Sequence, residues 1–257
     1  MVSSAFPVLL DCARAIEDGD LKLADSLLKQ IWTLTVYQPN EQQSNVVKYF
    51  AEALVRRAYG LHPDFDNFKL QMGSPLDFLY WYIPVEDAIK KAVVGKKRVH
   101  LVDFRIPHLY GCLISPYLAN LLSVRVSVIL PRSLKKIVNV QEEQQYVTVQ
   151  AKIYGVRLEK LEVVYANSLK EVDASMLDFR RTEDEAVVFF YFFKLCTLLT
   201  EAGVMEREML KLRDIKPDIV IIQEHDANYN HSDFITRFED SFQYYSHVFR
   251  LHLSYKE

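Results

Sequence analysis

Glycine is scarce in this chain: there are seven in 257 residues, against roughly 7% in average proteins. They stand at 19, 60, 73, 95, 111, 155 and 203, and the closest two, Gly60 and Gly73, lie 13 positions apart. A GxGxxG dinucleotide turn, a GxxxxGK phosphate loop and a GxSxG nucleophile elbow each need glycines within about five residues. All three are excluded. Cysteine is rarer still, and Cys12, Cys112 and Cys196 are too far apart for a CxxC zinc or redox motif. Scattered thiols suit a reducing compartment, where they pack as small hydrophobes. No sign of charge dominates, since 31 Lys+Arg face 34 Asp+Glu and leave −3 with His neutral. Such a chain has no overall attraction for nucleic-acid phosphates. The longest apolar run, Ala186 to Leu199, is interrupted by Lys194 and is too short to span a bilayer. Met1-Val2-Ser3-Ser4 lacks the basic region that opens a signal peptide. The chain reads as a soluble intracellular protein.

What is present is apolar residues, 50% of the whole, and their spacing changes along the chain. Up to residue 94 the spacing is helical. Leu9, Leu10, Ala13 and Ile16 form one stripe, ended by Gly19; Asp20 can cap the next, with Leu21, Ala24, Leu27, Leu28 and Ile31. Asn40 and Gln43 resemble a capping pair before Val46, Val47, Phe50, Ala53, Leu54 and Ala58. Ser74-Pro75 opens a fourth helical stretch, interrupted at Pro84 and running to Val94.

From residue 95 short apolar runs alternate with helical ones. Arg98 to Phe104, Val124 to Leu130, Leu161 to Tyr165, Ala186 to Phe192 and Asp218 to Gln223 are mostly apolar at every position. Such runs suit parallel strands covered on both faces. The stretches near 110–122, 133–154, 194–214 and 231–250 are long enough for helices, as parallel crossovers require. The expected fold is therefore α/β, with a helical cap at 1–94 on an open, mostly parallel, Rossmann-like (methyltransferase-like) sheet at 95–257. The last helix, with Phe234, Ile235, Phe238, Phe242, Tyr245, Val248 and Phe249 along one stripe, is expected to pack on that sheet.

Ligands of such sheets bind beyond the carboxyl ends of the strands. There the chain offers Asp103 and then the cluster Glu224-His225-Asp226. A methyltransferase-like core needs a glycine turn after its first strand and an acid closing its second. This chain has its nearest glycine, Gly111, eight residues beyond Asp103, and ends the second run Leu130-Pro131-Arg132. Asp103 reads better as a structural carboxylate at a helix start. Glu224, His225 and Asp226 could hold a metal or move protons, but His225 and His231 lack zincin spacing, and Ser232-Asp233 suit a helix cap. His100 lies inside an apolar run and reads as a satisfied buried histidine. No cofactor, metal set or catalytic residue is expected. The helical cap is different, because three short amphipathic helices cannot bury all of their apolar stripes among themselves. A partner face is expected there, at Leu9, Leu10, Leu21, Leu27, Leu28, Ile31, Val47, Phe50 and Leu54.

Several segments, in order, carry a family resemblance. Leu9-Leu10-Asp11-Cys12-Ala13-Arg14-Ala15-Ile16, Leu21 to Ile31 and Val47 to Arg57 resemble the leucine-rich region of the GRAS proteins, plant regulators that include the DELLA and Scarecrow-like groups. Val99-His100-Leu101-Val102-Asp103 is similar to their VHIID motif. Pro217, Glu224 to Asn230, Asp233-Phe234-Ile235-Thr236-Arg237-Phe238 and Tyr244-Tyr245-Ser246 are similar to the start of their PFYRE region. Two departures stand out. The glutamine-tryptophan segment that usually follows VHIID is replaced by Arg105-Ile-Pro-His-Leu-Tyr-Gly111, and the end of PFYRE and the SAW motif are not present in these 257 residues. The resemblance thus implies a C-terminally truncated domain with an uncovered sheet edge. It also implies a nuclear transcriptional co-regulator, not an enzyme, working through protein contacts with other GRAS proteins or DNA-bound transcription factors. Direct sequence-specific DNA binding and a methyltransferase-like small-molecule binder are the alternative readings.

Overall fold

Val, Ile and Phe crowd into five runs, and each run forms a strand. β1 (Arg98–Phe104), β2 (Ser123–Leu130), β3 (Leu158–Tyr165), β4 (Glu185–Phe192) and β5 (Ile219–Gln223) make one sheet in the order β3-β2-β1-β4-β5, every pairing parallel. The computed structural model describes residues 5–36, 41–61, 75–104, 114–136, 138–172, 174–179, 182–199, 202–224, 228 and 230–254. All five expected strands are there, with ends shifted by at most three residues. β2 and β4 are buried at every position, which is why their sequences do not alternate.

The helices are α1 (Phe6–Glu17), α2 (Leu21–Val36), α3 (Glu41–Ala58), α4 (Pro75–Ala92), α5 (Val140–Ile153), α6 (Ala174–Leu177), α7 (Leu195–Leu198), α8 (Val204–Ile215) and α9 (Phe234–Ser254). Local chemistry sets several of their ends. Gly19, at φ +77°, ends α1 in the left-handed conformation that a Cβ would strain. One residue later the Asp20 carboxylate accepts the Leu23 amide at 2.9 Å and starts α2. The Asn40–Gln43 pair and Ser74 lie outside the residues whose side chains are described. Pro84 does not interrupt α4 as expected. A proline removes one backbone bond, but Val85 and Ile89 just beyond it are buried, and packing keeps the helix going.

Two compact units emerge, and their boundaries differ from the expected 1–94 and 95–257. One combines Met1–Phe68 with Asp226–Glu257; the other is Lys69–His225. α4 packs on β4 and β5 and so belongs with the sheet. α9 packs on α1 and α3, not on the sheet as expected. The reason is aromatic. Phe50 of α3 meets Phe238 and Phe242 of α9 edge-on, at 5.3 and 5.1 Å between ring centroids, and Phe6 of α1 stacks on Phe242 at 4.5 Å. Arg57 adds a clamp: its guanidinium lies 3.9 Å from the centre of the Phe234 ring while it pairs with Glu17 at 3.2 Å.

Polar side chains inside the sheet unit are matched to one another. Arg125 of β2 reaches past β1 to Glu185 of β4 with two parallel bonds of 2.9 and 2.7 Å, and also donates to the Asp178 carbonyl at 2.7 Å. Both partners are buried, so each charge needs the other. Beside them His100 bonds the Ser127 hydroxyl at 2.9 Å, as expected of a satisfied core histidine. On α8 the buried Glu208 accepts the Tyr191 hydroxyl and the Leu169 amide, both at 2.8 Å.

Two outcomes follow from these pairs. Arg125→Met should cost the sheet unit about 3–5 kcal/mol in urea unfolding, because it strands Glu185 without a partner, whereas the double change with Glu185→Leu should recover most of that loss. Burial holds the Glu208 carboxyl above its ordinary 4.5, against bonds from Tyr191 and Leu169 that favour its charge. An acid that binds its proton more tightly when folded contributes stability below its unfolded pKa and loses it as pH rises through the folded one. The stability of Glu208→Gln relative to the parent should therefore rise with pH from about 4.5 upward; a flat difference across that window would contradict the assignment.

Candidate functional site

The strand order reverses between β1 and β4, and a parallel sheet opens its ligand crevice at the carboxyl ends of such a pair. Asp103 sits there, buried at the end of β1, in register with Val128 of β2 and Phe190 of β4. Side chains of the chain itself crowd this end. Phe104 stacks on Tyr191 at 4.7 Å with the rings nearly parallel, and Tyr191 is tied down by Glu208. Burial, then the neighbouring carboxylate, pushes the Tyr191 phenol far above its ordinary range, so it remains a neutral donor.

Just beyond β4 the backbone turns sharply. Phe193 takes a left-handed φ of 49°, rare for a bulky residue, while its amide donates to the Gln223 carbonyl at 2.8 Å. The turn delivers Lys194, which is buried near Glu208 and favours that carboxylate's charge. Glu224, directly after β5, accepts the Leu195 amide at the start of α7. β4 separates Glu224 from Asp103, a gap of two strand spacings or roughly 10 Å. The structure therefore does not bring these carboxylates together as a pair. His225 and Asp226, the rest of the candidate cluster, lie outside the described residues.

The VHIID-like run is β1 itself. Val99, Leu101 and Val102 are core residues, His100 bonds Ser127, and only Asp103 reaches the crevice end. Among the described residues no group of three or more His, Cys, Asp or Glu could hold a metal, and no helix is long and apolar enough to cross a membrane. Asp233 caps α9 as expected: its carboxylate accepts the Thr236 amide at 2.6 Å, and that bond holds it below the usual carboxylate range.

The helical unit corrects the expected partner face. Leu9, Leu28, Ile31, Val47 and Leu54 are buried, and Leu10, Leu27 and Phe50 pack against them. These side chains form the unit's own core, because α9 supplies the fourth helix that sequence spacing alone did not place. Of the nine, Leu21 is exposed, at 40%. Cys12 lies in the same core; burial, helped by the charge of Asp25, pushes its thiol up to about 11, so it behaves as a small hydrophobe.

An open apolar ridge runs along α2. Leu21, Asp25, Lys29, Trp32 and Val36 follow one another at steps of three and four residues along a single face. Trp32 is 44% and Val36 74% exposed, and exposed Tyr59 donates its hydroxyl to Asp25 at 2.9 Å. Sequence reading missed this ridge because it ranked leucines by periodicity and gave no weight to the tryptophan between stripes. It also missed Arg125, although a lone arginine inside an apolar run was a visible sign of a buried ion pair.

Comparison with known proteins agrees with this architecture. The GRAS domain family matches residues 6–252. DELLA protein GAI1 of Vitis vinifera is 36% identical over 256 residues, covering 94% of this chain and 42% of that protein. DELLA protein 2 of Medicago truncatula is 33% identical, covering 94% of this chain and 46% of its own length. The chain thus spans less than half the length of these relatives. The crystal structure of SCL7 in Oryza sativa superimposes with a TM-score of 0.64 at 21% identity, over 96% of this chain and 69% of that one, and so supports the fold. Leucine-rich helices, a VHIID-like first strand and the family match together establish that the chain belongs to the GRAS domain family of plant transcriptional regulators.

Proposed function

We propose that this chain is a nuclear transcriptional co-regulator that works by protein contact, with the helical unit carrying the interface to another GRAS protein or a DNA-bound transcription factor. The observation that carries the reading is the exposed ridge on α2. Trp32 and Val36 stand in water on one face of α2, and Tyr59 bonds Asp25 farther along that face. Aromatic anchors of this kind dominate the energy of protein interfaces. Asp25 and Lys29 on the same face supply charges of both signs that can set the register of an incoming helix. In the sheet unit, the single glycine that follows β1 before β2 is Gly111, eight residues beyond Asp103, and Glu224 is engaged by the Leu195 amide. That favours a scaffold over a catalyst.

The ridge gives a direct test. Trp32→Ala and Val36→Ser should leave the circular dichroism of the chain unchanged and weaken capture of partners from plant nuclear extract by about tenfold or more. Binding that is insensitive to both changes would remove α2 as the interface. Binding that needs duplex DNA and falls steeply with salt would instead favour direct DNA recognition.

A further inference from the structure

A basic run, Arg132-Ser133-Leu134-Lys135-Lys136, follows Pro131 at the end of β2 and has no part in the α2 ridge. Its backbone makes a single 3₁₀ turn, Arg132–Leu134, in which the Leu134 amide donates to the Pro131 carbonyl at 3.0 Å and the Lys135 amide to Arg132 at 3.1 Å. Leu134 is buried and pins the turn, whereas Arg132, Ser133, Lys135 and Lys136 are exposed. Arg132 is already engaged. Its side chain meets Glu171 at 2.9 Å, its amide donates to the Asn167 side chain at 3.1 Å, and the Asn167 amide donates to the same Glu171 oxygen at 2.9 Å. That ring of contacts ties the end of β2 to the turn after β3. Among the described residues, Lys135 and Lys136 have no ion-pair partner and the Ser133 hydroxyl has no hydrogen bond. A free hydroxyl thus stands in water between cations that lack a counter-charge. Protein kinases choose substrates partly by their charge pattern, and they need a serine on backbone that can be drawn out. A lone 3₁₀ turn has weak hydrogen-bond geometry and opens at little cost, so this segment meets both needs.

We propose that Ser133 is a phosphorylation site, read by a serine/threonine kinase that selects basic flanking residues. In the transfer the Ser133 Oγ attacks the γ-phosphorus of a magnesium-bound nucleoside triphosphate. The new O–P bond replaces the bond to the β-phosphate oxygen, the nucleoside diphosphate leaves, and the hydroxyl proton passes to the base of the kinase. The product places about −2 of charge and three acceptor oxygens inside the basic run. Lys135 and Lys136 then have a counter-charge, and the phosphate competes with Glu171 for the neighbouring Arg132 guanidinium. Drawing Arg132 away loosens the tie between the end of β2 and the turn after β3. The site is independent of the α2 ridge.

The test is phosphopeptide mass spectrometry of the full folded chain after incubation with magnesium ATP and a plant cell extract. Phosphate is expected on Ser133 of the parent and at no neighbouring position in Ser133→Ala. Changing Lys135→Gln together with Lys136→Gln leaves the hydroxyl in place and should slow its modification by about tenfold. These side chains are exposed, so circular dichroism should show each variant folded like the parent. Amide exchange at Arg132 and Asn167, whose N–H groups close the ring of contacts, should quicken once Ser133 carries phosphate. A folded parent that stays unmodified at Ser133 overturns the proposal. So does modification that is equally fast without Lys135 and Lys136, or that occurs only after unfolding in urea. Exchange at Arg132 and Asn167 that is unchanged by the phosphate overturns its action on the tie.

Discussion

A parallel strand cannot return to its neighbour by a tight turn, so each of the first four strands here is followed by a long excursion before the next. The helical segments of those excursions cover the sheet, which must then be apolar on both sides. β4 shows the consequence most fully: Glu-Ala-Val-Val-Phe-Phe-Tyr-Phe is buried from end to end. A charge in such a place must bring its own partner. Arg125 and Glu185 do this across the intervening strand, and Tyr191, Leu169 and Glu208 do it nearer the crevice end. The polar pairs follow from the burial, and the burial follows from the strand direction.

The helical unit obeys a different constraint. Three short amphipathic helices cannot enclose a core, and the chain meets this by drawing on its last long helix. Phe6 and Phe50 accept Phe238 and Phe242, and Arg57 fixes Phe234 from the side. The unit is therefore built from both ends of the chain, with the sheet unit inserted between them. Leucines that would otherwise be sticky become structural. Among the described residues of this unit, the large hydrophobic side chains left open to water include Leu21, Leu23, Trp32 and Val36 of α2, with Tyr49, Tyr59 and Leu61.

These two facts bear on function together. A Rossmann-like sheet of this order is a common platform for nucleotide cofactors, but the platform works only where a glycine turn lets a phosphate or sulfonium group reach the backbone. Here Asp103 is buried at the end of β1, and the glycine nearest after it, Gly111, stands eight residues on. The family match places the chain among plant transcriptional regulators, and the α2 ridge is the surface proposed for such a role.

The sequence by itself determined the elements and the family. Continuous β-branched and aromatic runs specified all five strands, helical spacing located the helices, Asp20 and Asp233 announced their capping, and the glycine spacing excluded the phosphate loops. Each of these is a local property, set by neighbours within a few positions. Only the tertiary structure decided which helices belong together, that α4 serves the sheet and α9 the helical unit, that Arg125 is answered by Glu185 sixty positions away, and that most of the leucines expected to meet a partner are core. Periodicity shows that a helix has an apolar face but not what covers it, since that depends on packing between segments brought together by the fold.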